Sequence, residues 1–344
     1  MRLQPEGGRH RPGGAEGGQA HRRRPARRRA RLGQRALSAV KKLGAALVTL
    51  AVLLVVALAI LGRAVHEDAR IPPGAAGRHV LVGATPIRYV QAGTGPDVVL
   101  VHGSPGSAED WEPILAWLSP RFRVTAFDRP GHGYSGGAER PHTPSENAAV
   151  ALDLIRALGL HDAVLVGHSF GGAIALDLAI RRPPEVRSYV LVGAKAYPPV
   201  PVEPIYRAVT LPLVGRGLAT ALTPLMGRSR IDAGVRESFG PNEDAMPAGF
   251  VARRAPIWTK PTVIEALSEE RVGYGEALAA MAPHYGEIRP PVVIVCGDED
   301  KNHDDAVRLG REIPGARLVI LPDTGHYVQF ARPDELAALI EGAR

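Results

Sequence analysis

The sequence of 344 residues contains one cysteine, Cys296. A single cysteine cannot form an intrachain disulfide, and it leaves no cysteine pair or cluster for a structural zinc site. The His-Glu-x-x-His pattern of zinc peptidases is also missing. Cys296 ends the apolar run 292–296, which is typical of a buried strand, so we expect a core thiol there and predict no metal site.

An excess of basic residues is lacking outside one end of the chain, although the net charge is +7. Residues 1–42 carry 13 Lys and Arg and only two acidic residues, whereas the rest of the chain carries 29 basic and 33 acidic residues. The folded part is therefore slightly acidic, and its charge gives no argument for nucleic-acid binding. The basic segment 1–42 has few bulky apolar residues, so we expect it to be disordered. We interpret its arginine runs as a topology signal that also contacts anionic lipid, in preference to nucleic acid.

Charge is absent from residues 43–62, a run of small and aliphatic side chains. A helix of this length spans about 30 Å, the thickness of the hydrocarbon core of a bilayer. The run has no polar face, so the sequence predicts a transmembrane helix in preference to a buried core helix. A cleaved signal peptide is the main competitor, since the small residues around Leu58 resemble a cleavage site.

The orientation of this span follows from the charges that flank it. Thirteen Lys and Arg precede it, while Arg63 and Arg70 after it are offset by Glu67 and Asp68. Positive charge stays in the cytoplasm. We therefore expect a single-pass protein of the cell membrane, with a cytoplasmic N-terminus and a catalytic part on the periplasmic or extracellular side.

Residues 63–77 read as a linker, and strand and helix signals alternate after it. Continuously apolar runs are typical of parallel strands that are buried on both faces, and helical stretches separate most of them, including one that begins with a capping box at Thr143. This alternation predicts an α/β fold with a mostly parallel eight-stranded sheet flanked by helices. The predicted strands cover residues 79–82, 87–90, 98–101, 124–127, 163–166, 189–192, 292–296 and 318–321.

One long segment, residues 195–287, interrupts this rhythm between the sixth and seventh strands. It is rich in proline at first and then helical, so we predict a helical cap or lid. It divides the catalytic domain into residues 78–194 and 288–344. An insertion at this point lies over the carboxyl edge of the sheet, where ligands bind in open α/β folds.

A serine lies in the sequence Gly-His-Ser-Phe-Gly-Gly at residues 167–172, between the fifth strand and a helix. A sharp turn with small neighbours in this context is a nucleophile elbow, which exposes the hydroxyl of Ser169 above the sheet. The backbone N–H groups at the start of the helix face any negative charge that develops there. The pattern therefore predicts acyl chemistry at Ser169.

A nucleophilic serine needs a base and an acid that orients the base. The sequence Gly-Asp-Glu-Asp at 297–300 follows the seventh strand, and Asp-Thr-Gly-His at 323–326 follows the eighth. The chain order Ser, Asp, His is the order of α/β-hydrolases. His326 is the predicted base, and Asp300 and Asp298 are the two candidate acids.

These motifs resemble the α/β-hydrolase superfamily, in the branch of serine hydrolases with a helical cap, over residues 79–195 and 288–344. The resemblance favours Asp300 over Asp298, because the family's acid is commonly the fourth residue of a Gly-x-x-Asp turn. The family's oxyanion hole uses the backbone N–H of the residue after the nucleophile, here Phe170, and one from the loop after the third strand, here Ser104. It gives the turn 128–135, after the fourth strand, and His102 structural roles.

The resemblance implies a serine hydrolase that cleaves an acyl bond of a small-molecule substrate without a metal or an organic cofactor, and the predicted transmembrane helix makes it membrane-anchored. A carboxylic ester is the first choice by analogy with the family. An amidase, thioesterase, C–C hydrolase, acyltransferase or perhydrolase uses the same triad, and a non-catalytic anchored binding protein with this fold is the alternative of another class. Dehalogenase and epoxide hydrolase chemistry is disfavoured, because those enzymes have an aspartate where this chain has Ser169.

Overall fold

The computed structural model describes residues 23–64, 71–73, 75–137, 141–222 and 228–344. The chain divides into two compact units, the first ending at Val56 and the second beginning at Ala57. The second unit contains the sheet and all of the predicted site residues.

The N-terminal part is one long helix, α1 (Arg23–Ala64). Residues 33–64 are long and apolar enough to cross a membrane, with a mean hydropathy of 2.9 over their most apolar window, and none of that window is buried in protein. The predicted disorder of residues 1–42 is therefore wrong from Arg23 onward, and its first 22 residues lie outside the described part. Arg, Ala and Leu are strong helix formers, so a helix that starts in the apolar run continues into the basic segment.

An eight-stranded sheet lies at the centre of the second unit, in the order β1-β2-β4-β3-β5-β6-β7-β8. Strands β1 and β2 run antiparallel to their neighbours, and the other pairs are parallel. The predicted mostly parallel α/β fold is confirmed. The strands are β1 (Arg78–Val82), β2 (Thr85–Ala92), β3 (Asp97–Val101), β4 (Arg123–Phe127), β5 (Ala163–His168), β6 (Val186–Val192), β7 (Val292–Gly297) and β8 (Arg317–Leu321).

Helices cover both faces of the sheet, which is why its central strands are mostly apolar. Every residue of β3 and of β5 is buried. Leu154, Ile174 and Leu309 belong to the core on one face, while Leu118 and Ile340 belong to the core on the other. The helices that flank the sheet are α2 (Glu112–Leu118), α3 (Pro144–Ala157) and α4 (Phe170–Arg181), and, after the cap, α10 (His303–Glu312), α11 (Val328–Ala331) and α12 (Pro333–Gly342).

Among the described residues, five α-helices lie between β6 and β7, in the segment for which the sequence predicts a cap. An aromatic cluster with Phe239, Phe250 and Trp258 packs this segment against Phe330 of α11. The cap therefore has its own apolar contacts with the catalytic domain. Its helices are α5 (Pro204–Val209), α6 (Gly215–Leu222), α7 (Arg228–Phe239), α8 (Phe250–Trp258) and α9 (Pro261–Met281).

Candidate active site

The turn between β5 and α4 holds Ser169 in a backbone conformation that residues with a side chain rarely adopt. Its φ is 55° and its ψ is −113°. The Ser169 N–H donates a 2.9 Å hydrogen bond to Val192 O of β6, which fixes the turn to the neighbouring strand. A side-chain carbon at Gly171 would lie 2.3 Å from Val101 O, so only glycine fits where α4 passes the end of β3. The local strain is maintained by close packing around the elbow.

His326 and Asp300 form a buried pair at the carboxyl ends of β8 and β7. The Nδ1 of His326 lies 2.9 Å and 2.8 Å from the two carboxylate oxygens of Asp300. An ionised carboxylate only accepts hydrogen bonds, so Nδ1 carries the proton and Nε2 is left as the acceptor. Burial alone raises the pKa of Asp300, but His326 and the Asn302 amide hold that pKa below its usual value.

Asp298, the other candidate acid, has a different environment. Its side chain is exposed, and its Oδ1 accepts a 3.1 Å hydrogen bond from the Thr324 N–H. Hydrogen bonds from the backbone, that of Thr324 first, lower its pKa. Asp298 therefore shapes the loop that carries His326, while Asp300 contacts the imidazole itself.

The Asp300–His326 pair lies beside the elbow. Gly193 follows Val192, the residue that accepts the Ser169 N–H, and a side-chain carbon at Gly193 would lie 2.5 Å from Asp300 Oδ2 and 3.0 Å from His326 Nδ1. Among the described residues, no hydrogen bond joins the Ser169 hydroxyl to His326. Such bonds are often long in a ligand-free enzyme and tighten when substrate binds.

The two predicted oxyanion donors lie on segments that touch each other. A side-chain carbon at Gly103, next to Ser104, would lie 3.2 Å from Ser169 Cβ. Phe170 is the first residue of α4, and the first N–H groups of a helix have no acceptor within it. The loop after β3 and the start of α4 therefore flank the nucleophile, as an oxyanion hole requires.

Residues outside the predicted set complete the surroundings of the site. His168 Nε2 donates a 3.0 Å hydrogen bond to His326 O, and burial lowers the pKa of His168 to about 3, so this ring is neutral. Asn242 of the cap accepts from Gly325 N at 2.9 Å and donates to Asp323 O at 2.9 Å. No local sequence pattern indicates Asn242, because this residue lies 81 residues before Asp323, whose carbonyl it contacts.

A buried charged group lies behind the oxyanion loop. Glu270 of α9 pairs with Arg129 and accepts from the Ser104 hydroxyl. Arg129 Nη2 donates a 2.8 Å hydrogen bond to Gly103 O, and the Arg129 N–H donates to His102 Nε2 at 3.0 Å. His102 and the turn after β4 thus have the structural positions that the sequence predicts, whereas the motifs did not indicate Glu270.

Comparisons with known proteins identify the family of this fold. The Alpha/beta hydrolase family matches residues 98–339. A non-heme haloperoxidase of Rhodococcus erythropolis is 38% identical over 269 residues, which cover 74% of this chain and 94% of that protein. A 2-hydroxy-6-oxo-2,4-heptadienoate hydrolase of Pseudomonas putida is 30% identical over 265 residues, which cover 74% and 91%.

Among solved structures, a bacterial membrane phospholipase A superposes with a TM-score of 0.62 at 22% identity, over 92% of this chain and 97% of that one. This likeness shows the fold. Together with the family match over most of the second unit, it leads to one conclusion: the chain belongs to the alpha/beta hydrolase family.

Proposed function

We propose that this protein is a membrane-anchored serine hydrolase that cleaves carboxylic esters through an acyl-enzyme. The observation that carries the proposal is the buried Asp300–His326 pair beside the strained Ser169. An imidazole that is fixed by a carboxylate beside a half-buried serine in a strained turn is the arrangement of a base and its nucleophile.

In the proposed mechanism, the Ser169 oxygen attacks the ester carbonyl while its proton passes to His326 Nε2. Asp300 stabilises the imidazolium that forms. The N–H groups of Ser104 and Phe170 bind the oxyanion of the tetrahedral intermediate, and one such donor is worth about 10²–10³ in rate. His326 then protonates the leaving alcohol, and it activates the water that hydrolyses the acyl-enzyme.

A long-chain, lipid-like ester is the proposed substrate class. The apolar helix α1 supports a position at a bilayer. In the cap, the consecutive residues Leu211, Pro212 and Leu213 are exposed, the two leucines by 54% and 75%, and contiguous exposed apolar residues are typical of surfaces that meet lipid or apolar ligands. Turnover should therefore rise with acyl chain length, and much faster turnover of short water-soluble esters would contradict this part of the proposal.

The test of the reaction uses the full chain in detergent and a fluorophosphonate probe. Labelling should occur in the wild type and disappear in Ser169→Ala. Ser145→Ala, at an exposed residue of α3, is the matched control and should label as the wild type does. A wild type that does not label contradicts the serine hydrolase proposal and favours a non-catalytic binding protein. A Ser169→Ala variant that labels equally contradicts Ser169 as the nucleophile, because the probe then reacts at another residue.

Peracid formation is a second candidate, because the chain is 38% identical to a protein that is named a non-heme haloperoxidase. In that reaction hydrogen peroxide takes the place of water at the acyl-enzyme, and the same triad serves it. Measuring peracid release with and without peroxide, beside ester, amide and C–C substrates, separates these activities.

The proposed location is the cell membrane, with the catalytic domain on the outer face. Extraction of membranes at alkaline pH should leave the protein in the pellet, and external protease should digest the catalytic domain in spheroplasts. Sequencing of the mature N-terminus distinguishes an anchor from a cleaved signal peptide, since cleavage near Leu58 would remove the span.

A further inference from the structure

A carboxylate from the cap is buried directly behind the oxyanion loop. Glu270 lies on α9, and its side chain is 1% exposed, while that of its partner Arg129, on the turn after β4, is fully buried. Buried charges are costly unless they are paired and hydrogen-bonded. A pair of this kind at the contact between cap and catalytic domain therefore needs a reason beyond packing.

The contacts of this pair converge on the residues that supply the oxyanion amides. Glu270 Oε2 accepts a hydrogen bond from the Ser104 hydroxyl. Arg129 Nη2 donates to Gly103 O at 2.8 Å, and its guanidinium carbon lies 4.6 Å from the centroid of the Phe170 ring. The Glu270–Arg129 pair thus contacts the side chains of both residues whose amides are the predicted donors, Ser104 and Phe170. It also contacts the backbone of Gly103, which precedes Ser104.

The charge state of Glu270 fits this role. Burial alone raises the pKa of Glu270, but Arg129 first, then His132 and the Ser104 hydroxyl, hold that pKa below its usual value. An ionised carboxylate can only accept, so the Ser104 hydroxyl must donate towards the cap. The Ser104 side chain is thereby fixed, and the backbone N–H is the donor that Ser104 keeps for the substrate.

We propose that Glu270 is a positioning residue, supplied by the cap, that holds the Ser104 amide in place for the oxyanion. It acts directly through the Ser104 hydroxyl and indirectly through Arg129 and Gly103. The oxyanion hole is then complete only while α9 is docked on the catalytic domain. This inference rests on the proposed hydrolase function and adds to it a link between cap docking and transition-state stabilisation.

The test compares Ser104→Ala, Glu270→Gln and the double variant in the full-length protein in detergent. Glu269→Gln is the matched control, because it makes the same chemical change on the preceding residue of α9. Among the described residues, Glu269 has no hydrogen bond to Ser104 or Arg129. The readouts are kcat and KM for an ester and the affinity of an alkylboronic acid, which forms a tetrahedral adduct with Ser169.

Ser104→Ala keeps the backbone amide and loses only the tether, so kcat should fall about 10-fold while KM stays within about two-fold. The affinity for the boronic acid should fall by the same factor, which a general loss of packing would not produce. The double variant should be no slower than the slower single variant, because both substitutions break one link. Glu269→Gln should match the wild type.

Different results contradict the hydrolase function and the role of Glu270. A wild type that neither labels with phosphonate nor binds the boronic acid contradicts the hydrolase function itself. An active wild type with Ser104→Ala at the wild-type kcat and boronic acid affinity overturns the role of Glu270, as do fully multiplicative effects in the double variant. If Glu270→Gln does not fold, Ser104→Ala alone decides.

Discussion

The imidazole of His168 lies against the imidazole of His326, with ring centroids 4.6 Å apart. The residue before the nucleophile therefore contacts the predicted base, both through this ring contact and through the hydrogen bond from His168 Nε2 to His326 O. The elbow and the histidine loop, 158 residues apart in the sequence, are joined at this point. The contact requires a neutral His168, because a second cation would repel the imidazolium that forms during catalysis.

The neutral state of His168 predicts a loss of stability in acid. Burial first, and then the neighbouring His326, lower its pKa from 6.5 to about 3 in the folded protein. Between these two values the unfolded chain binds more protons than the folded one, so the free energy of unfolding falls as the pH is lowered from about 6.5 towards 3. Thermal midpoints measured from pH 7 to pH 4 should decline.

Substitution isolates the contribution of His168 to that decline. His168→Gln keeps an N–H donor but no longer titrates, so its midpoint should fall less steeply with pH than that of the wild type. His284→Gln removes an exposed histidine and serves as the control. An equally steep decline in His168→Gln would show that another group, such as the buried His132, dominates the acid response.

Asp300 and Asp298 should differ sharply in their effect on turnover. Asp300→Asn removes the carboxylate that fixes the tautomer of His326, and we expect kcat to fall by about 10³–10⁴-fold. Asp298→Asn is the matched change on an exposed residue of the same loop and should lower kcat by less than about five-fold, because its contact is to Thr324 N. Steady-state kinetics with one ester measures both, and a reversed ranking would assign the acid to Asp298.

The sheet and the chain order of the predicted triad could be predicted from the sequence, because both depend on local sequence patterns. The eight apolar runs are strands, buried in the middle of the sheet and partly exposed at its edges β1 and β8, and Ser169, Asp300 and His326 each follow the end of one. The carboxyl ends of parallel strands meet at one edge, so chain order was enough to bring these residues near one another. The choice of Asp300 needed the family resemblance, since spacing alone left Asp298 equally possible.

The contacts made by the cap could not be predicted in the same way. Glu270 lies 166 residues from Ser104 in the chain, and Asn242 lies 83 residues from Gly325. An acidic residue on a helix such as α9 is usually solvated, and nothing in its local sequence indicates that it is buried against an arginine. The prediction of disorder for residues 1–42 was wrong from Arg23 onward for the opposite reason, since composition favoured disorder where the helix of the neighbouring apolar run continues.

Asn242 should support catalysis through the histidine loop. Asn242→Ala removes two hydrogen bonds that hold residues 323–325, and we expect kcat to fall on the order of 10-fold, since each such bond is worth about 0.5–1.5 kcal/mol. The fall should appear in kcat more than in KM, because the loop carries the base and no part of the predicted substrate contacts. Arg236→Ala breaks exposed ion pairs in the same part of the cap and should change kcat less than two-fold.

The strained backbone of Ser169, which the proposed activity requires, should lower the free energy of unfolding. Both Ser169→Ala and Ser169→Gly remove the nucleophile and should abolish phosphonate labelling, but only glycine tolerates a φ of 55° with a ψ of −113°. We therefore expect Ser169→Gly to be more stable than Ser169→Ala by about 1 kcal/mol. Glycine relieves the local strain, and its greater backbone entropy in the unfolded chain offsets part of that gain. Thermal or denaturant unfolding of the two inactive variants, side by side, measures this difference. Equal midpoints would mean that the elbow relaxes once the hydroxyl is gone, and that the strain belongs to the contacts of the serine side chain and not to the backbone.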